Sequence, residues 1–92
     1  MKTFEKQIIP ILKRYSIKKA ALFGSYARND YKNKSDVDIL VDLPKGISLV
    51  TYISIKQELE DLLHKKVDLV DYSTLKPVIR DSILSQQKLL FS

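Results

Sequence analysis

Apolar side chains open the chain at helical spacing: Phe4, Ile8, Leu12 and Tyr15 share one face, and Ile11 widens it. The spacing predicts an amphipathic helix over residues 4–15, with Thr3 as its cap. Pro10 interrupts the pattern. It has no N–H and its ring crowds the preceding turn, so the helix is expected to kink there or to begin near it. After Ser16-Ile17 the segment Lys18–Phe23 ends in Ala20-Ala21-Leu22-Phe23, a short apolar run that reads as a buried strand. Gly24-Ser25 stops it, and Tyr26-Ala27-Arg28 can form one helical turn before the polar stretch Asn29–Ser35. Residues 36–43 read as a second strand, closed by Pro44-Lys45-Gly46.

The longest predicted helix runs from Ser48 to His64. Tyr52, Ile55, Leu59 and Leu62 form its inward stripe, with Lys56, Glu58, Glu60 and Asp61 outside. His64, Lys65 and Lys66 close it with positive charge that suits the helix dipole, and His64 reads as a surface residue, not a catalyst. Val67-Asp68-Leu69-Val70 is a third strand. Pro77 suits the first turn of a last helix over 77–85, with Thr74 upstream as a candidate cap. Leu89-Leu90-Phe91 reads as a final strand or a packed tail. The order predicts an α+β fold: a small mixed sheet packed with about four helices, covered mainly on one face. The whole chain, 1–92, reads as a single domain.

Composition narrows the class. With 45% apolar and 29% charged residues the chain is an ordinary globular protein, and with no cysteine it has neither disulfides nor thiolate metal sites. Its apolar runs are too short to span a bilayer and its start has no signal-peptide core, so a cytoplasmic location is expected. The net charge of +5 favours polyanionic ligands, nucleotides and nucleic acids alike. The lysines are scattered and do not alternate with aromatics in a stripe, which argues against direct nucleic-acid binding.

The chemistry-bearing residues begin with Asp36 and Asp38. Strand alternation puts both carboxylates on one face, where they repel by about 4 kcal/mol at 4 Å and an effective dielectric near 20. A divalent cation supplies the missing charge, and carboxylate oxygens suit Mg²⁺ or Mn²⁺. Alone, an Asp-x-Asp is more often an exposed strand face with solvated acids. Asp68, flanked by apolar residues on the next strand, faces the same way if the two strands are neighbours. Three carboxylates could then hold one metal fully and a second in part. Asp71 has the opposite parity, and Asp42 lies further along at the rim. Gly24 permits close approach of backbone to a phosphate, and the turn after it presents free N–H groups. The Ser25 hydroxyl can donate to a phosphate oxygen or steady the metal. Arg28 can return one turn later to grip the phosphates. Lys32 and Lys34 read as solvated loop residues, and Tyr26 could border the nucleotide.

Phe23-Gly24-Ser25-Tyr26-Ala27-Arg28 followed by Ser35-Asp36-Val37-Asp38-Ile39-Leu40-Val41 resembles the Gly-Ser, ten residues, Asp-x-Asp pattern of polymerase β-type nucleotidyltransferases. The short length is similar to that of the minimal nucleotidyltransferases. The resemblance implies the polymerase β-like nucleotidyltransferase fold, with Asp36 and Asp38 as metal ligands. It implies Asp68 as the third carboxylate, activating the attacking hydroxyl, and Gly24 and Ser25 as triphosphate binders. Asn29 stands where a glycine is common after the arginine, and asparagine tolerates the left-handed turn that glycine would allow.

The resemblance also implies a role. Domains of this size bring no acceptor-binding region, so the acceptor is expected on another protein or held by one. Minimal nucleotidyltransferases resemble the antitoxin half of a two-gene module whose partner is an all-helical HEPN ribonuclease. The expected reaction is Mg²⁺-dependent transfer of AMP from ATP, with two ions, to a tyrosine near the nuclease's active site, within a hetero-oligomer. Two rivals stand beside it: an antitoxin that inhibits by binding alone, and a catalytic subunit that modifies a small molecule or nucleic-acid end with a partner chain.

Overall fold

The computed structural model describes residues 3–28 and 36–92. The stretch 29–35, with the expected turn at Asn29 and with Lys32 and Lys34, lies outside the described residues. The elements are α1 (Thr3–Arg14), β1 (Ala20–Phe23), α2 (Ser25–Arg28), β2 (Val37–Val41), α3 (Leu49–Leu63), β3 (Val67–Asp71), a 3-10 turn (Tyr72–Thr74), α4 (Pro77–Gln86) and β4 (Lys88–Phe91). The strands form a four-stranded sheet in the order β3-β2-β1-β4. β1 runs antiparallel to β2 and β4, whereas β2 and β3 are parallel, so the sheet is mixed as expected. The parallel pair needs a crossover, and the fifteen residues of α3 provide it.

Alternation along the strands divides the core. Leu22, Val37, Ile39, Val41, Val67 and Leu69 point to the face covered by α1 and α3, where they meet Ile8, Leu12, Ile55 and Leu59. The opposite face has a smaller cluster of Ala21, Leu40 and Leu75, against which Ile83 and Leu84 of α4 pack. The sheet is therefore covered heavily on one face and partly on the other.

Several local expectations change. α1 runs through Pro10, whose side chain is exposed, and Thr3 is its first residue instead of its cap. Burial of Ile8 and Leu12 against α3 and the sheet holds the helix together on both sides of the proline. β1 spans Ala20–Phe23 as expected, and β2 spans Val37–Val41, leaving Asp36, Asp42 and Leu43 just outside it. Ser48 caps α3, its Oγ accepting from Thr51 N–H at 3.1 Å. His64 is the C-cap, in the left-handed region at φ 53°, and not a residue of the last helical turn. Thr74 does not cap α4. Lys76 holds that place without a side-chain bond, and the Thr74 hydroxyl donates to the Asp71 carbonyl instead. Leu89-Leu90-Phe91 belongs to a true strand, β4, paired to β1.

Glu5 is wholly buried in α1, and Lys88 Nζ of β4 lies 2.7 Å from its Oε1. The pair ties the first helix to the edge strand. Glu5 stands at helical spacing from Ile8 and Leu12, on the buried face of α1, whereas its neighbour Lys6 is exposed.

Candidate active site

β1 ends at Phe23, which pairs with Asp38 across the antiparallel ladder. Gly24 then takes φ 69°, and a Cβ there would overlap Asp38 Oδ2. Only glycine fits both the turn and the contact, so the Gly-Ser pair and the Asp-x-Asp are joined physically and not merely by spacing. α2 is one turn long, with Arg28 N–H donating to the Gly24 carbonyl at 3.2 Å. So short a helix contributes free N–H groups near Gly24 rather than a sizeable dipole.

The parallel ladder pairs Asp38 with Asp68. Paired strands lie about 4.8 Å apart, so the two carboxylates emerge side by side on the face that carries α4. Asp71 pairs with Val41 on the other face, and its side chain accepts from Ser73 N–H at 3.0 Å, capping the 3-10 turn. Asp42 is exposed beyond the end of β2. Both acids fall outside the cluster, as their parity and position require.

The position of Asp68 depends on how β3 starts. Glu60 Oε2 in α3 accepts from Val67 N–H at 2.9 Å, and Tyr52 of the same helix donates its hydroxyl to the Leu69 carbonyl at 2.6 Å. These bonds bracket Asp68. Where the ladder starts, Val37 N–H donates to the Lys66 carbonyl at 2.9 Å, the bond that pairs Val37 with Val67.

The acids are close enough to act on one another. The Asp38 carboxyl is held above its ordinary value, first by burial and then by the charges of Asp68 and Asp36, with Arg28 pulling the other way. The structure therefore brings Gly24, Arg28, Asp36, Asp38 and Asp68 together, with Ser25 following Gly24 directly. Among the described residues no three acid or histidine side chains are already gathered at ligand spacing, so this is an open array and not a closed cage. A small hard cation suits such an array, since it binds through one or two carboxylates and completes its shell with water and substrate phosphates. Asp38, desolvated among like charges, would gain from such a cation. His64 is exposed at the α3 cap.

Paired acids suited to a cation, next to a glycine turn open to an anion, point to a class: α+β proteins that handle phosphate esters with metal ions. The chain belongs to the polymerase β nucleotidyltransferase family, whose model matches residues 6–92. Membership brings a nucleotide substrate and a divalent metal in general terms. A Methanocaldococcus jannaschii protein, provisionally named a protein adenylyltransferase, is 45% identical over 82 residues, covering 89% of this chain and 88% of the relative. A solved toxin–antitoxin structure with AMP-PNP superposes with a TM-score of 0.83 at 29% identity, covering 96% of this chain and 73% of that one. A tri-AMPylated Shewanella oneidensis HEPN toxin in complex with its MNT antitoxin gives a TM-score of 0.75 at 27% identity, covering 97% and 71%. No helix among the described residues is long and apolar enough to cross a membrane.

Proposed function

We propose that this chain is a single-domain protein adenylyltransferase that moves AMP from ATP to a tyrosine of a HEPN-type partner, acting as its antitoxin in the cytoplasm. The observation that carries this reading is the pairing of Asp38 with Asp68 beside a turn where only glycine fits. The similarity to a protein adenylyltransferase and to an antitoxin bound to an AMPylated toxin supports the choice of AMP and of a protein acceptor.

In this reading Asp36, Asp38 and Asp68 hold Mg²⁺, one ion fully and a second in part, with Mn²⁺ as a substitute. When bound, the metal neutralises charge on the reacting phosphate and steadies the leaving pyrophosphate. Gly24 and Ser25 cradle the triphosphate with backbone N–H groups and a hydroxyl, and Arg28 adds a charged fork. Asp68 takes the proton of the attacking hydroxyl. Transfer would block the partner's site with bulk and negative charge.

The test is incubation of purified chain with Mg²⁺, ATP and its helical partner, followed by mass spectrometry of all components. One or more AMP additions on a partner tyrosine are expected, and none with the Asp36→Asn/Asp38→Asn variant. If that variant protects cells fully while still binding the partner, inhibition is by contact alone. AMP found only on a small molecule or nucleic acid would move the chain to the third reading.

A further inference from the structure

β3 is an edge strand, and among the described residues its outer side is closed by side chains instead of another strand. The Lys66 carbonyl accepts from Val37 N–H on the inner side, so alternation turns the backbone groups of Val67, Leu69 and Asp71 outward. Glu60 Oε2 accepts from Val67 N–H at 2.9 Å, and the Tyr52 hydroxyl donates to the Leu69 carbonyl at 2.6 Å. The Thr74 hydroxyl donates to the Asp71 carbonyl at 2.8 Å. An edge so occupied resists continuation by a partner strand. A protein that docks there has to use side chains.

Beside this edge α3 carries apolar side chains that the core does not use. Leu49, Ile53, Lys56 and Glu60 repeat at helical spacing and so form one stripe, which the Glu60 bond fixes against β3. Leu49 is 72% exposed, Val50 next to it 74% and Ile53 52%. The inward stripe of the helix is a different one, with Ile55 and Leu59 fully buried. Three large apolar residues within about one turn make a patch, not scattered exposures.

The patch stands where an acceptor has to arrive. The reading above gives the nucleotide to Gly24 and Ser25, after β1, and the proton of the attacking hydroxyl to Asp68, on β3. Asp68 is exposed, and its neighbours Val67 and Leu69 are the residues that Glu60 and Tyr52 hold. The protein that brings the hydroxyl to Asp68 therefore lies against the β3 edge. We propose that Leu49, Val50 and Ile53 are the docking surface for a helix of the acceptor protein, which lies along α3 and presents the acceptor hydroxyl to Asp68. The place of the acceptor rests on the adenylyl-transfer reading. The occupant is a helix because the closed edge denies a strand its ladder, whereas a second helix can seat its ridges in the grooves of α3 at about 8–10 Å between axes.

The wild type and Leu49→Gln/Val50→Gln/Ile53→Gln are to be titrated with the purified HEPN partner by calorimetry and assayed for AMP transfer. Leu89→Thr is the control: Leu89 is 49% exposed in β4, on the opposite edge of the sheet. Glutamine is a good helix former and the three positions face water, so equal melting temperatures are expected. The triple variant should bind the partner about tenfold more weakly, with the KM for the partner raised to match. Its KM for ATP and its stabilisation by Mg²⁺ with ATP should equal those of the wild type, and Leu89→Thr should match the wild type throughout. If the triple variant melts lower, Val50→Glu takes its place; it alters the most exposed of the three, in a first turn that favours an acid, and should weaken binding severalfold. Unchanged partner affinity in the patch variants, or an equal loss in Leu89→Thr, overturns the proposal. So does sedimentation in which the wild type alone self-associates while the patch variants are monomers that bind the partner normally, since the occupant would then be a second copy. A wild type that binds the partner but transfers no AMP brings down the adenylyl-transfer reading, and the placing of the acceptor with it. Normal transfer with unaffected binding in the variants brings down the docking surface alone.

Discussion

The two faces of the sheet use the same strands for different ends. On the α1/α3 face β2 offers Val37, Ile39 and Val41, all fully buried, to a continuous core with Ile8, Leu12, Ile55 and Leu59. On the α4 face the same strand offers Asp38 and Leu40: Leu40 joins a small cluster with Ala21 and Leu75, and Asp38 is left half-buried beside Asp68. The heavily covered face meets the cost of ordering the chain. That frees the other to hold like charges together, an arrangement that is unfavourable until a cation and a phosphate arrive. A strand of five residues can do both because its side-chain period is two.

Neighbouring substitutions in β2 should separate the two roles, and the largest effect belongs to Asp38. Asp38→Asn is expected to reduce AMP transfer on the order of a hundred- to a thousandfold. Its melting temperature without ligand should equal or exceed that of the wild type, because the amide carries no charge to desolvate among Asp68 and Asp36. Equal activity in the variant would detach chemistry from this face. A large fall in melting temperature would show that Asp38 holds the fold after all.

One residue on, Ile39→Ala should reverse the pattern. Ile39 has no solvent exposure, and its truncation should cost about 2–5 kcal/mol. At about 4–8 °C per kcal/mol for a domain of this size, thermal unfolding would resolve the loss easily. Transfer per folded molecule should stay near the wild-type value at temperatures well below the transition.

Why one face was easier to read than the other follows from what each residue does. The buried stripes of α1, β2 and α3 show in the sequence because burial repeats with the period of the element; Ile8 and Leu12, or Ile55 and Leu59, announce themselves. The acid cluster was legible for the same reason, since Asp36, Asp38 and Asp68 share a parity that neighbouring strands preserve. Asp71 and Asp42 were separated from it by the same argument. What escaped reading depends on contacts between elements distant in the chain. Glu5 looks like a solvated helix residue until Lys88 arrives from β4. Pro10 looks like a break until tertiary packing on both sides outweighs its local cost. Lys66 looks like a helix end, yet its carbonyl accepts the hydrogen bond that starts the β2–β3 pairing at Val37. The close approach of Gly24 and Asp38 was equally invisible, because a spacing in sequence carries no information about which atoms approach.

The Glu5–Lys88 pair tests whether the covered face is purely apolar in its support. Lys88→Met removes a cationic partner from a buried carboxylate, which should cost about 1–3 kcal/mol, discounted because Lys88 is half-exposed. Adding Glu5→Gln should return part of that loss, since a neutral amide is cheaper to bury than a carboxylate that has lost an ion-pair partner. Denaturant unfolding of the two variants, read as a double-mutant cycle with Glu5→Gln alone, measures the coupling. Strict additivity would mean that α1 is held to β4 by its apolar contacts only.

The smallest effect sharpens the contrast from the acid side. Burial and the neighbouring acids raise the Asp38 carboxyl above its ordinary 3.8, so the folded state binds its proton more tightly than the unfolded chain does. Stability contributed by that proton is present at low pH and is lost as pH rises from the unfolded value through the raised folded one. Asp38→Asn cannot lose it. The gap in melting temperature between the variant and the wild type should therefore open with rising pH across that window and stay constant above it. Mg²⁺ with ATP should close the gap at neutral pH, because a cation at Asp38 favours the charged carboxylate and its binding stabilises only the wild-type native state. A gap that is flat with pH would mean that solvent already relieves the repulsion at the open end of the sheet. The sheet face that carries α4 would then impose no measurable strain on the fold, and the division between a stabilising and a charged face would rest on Ile39 and its neighbours alone.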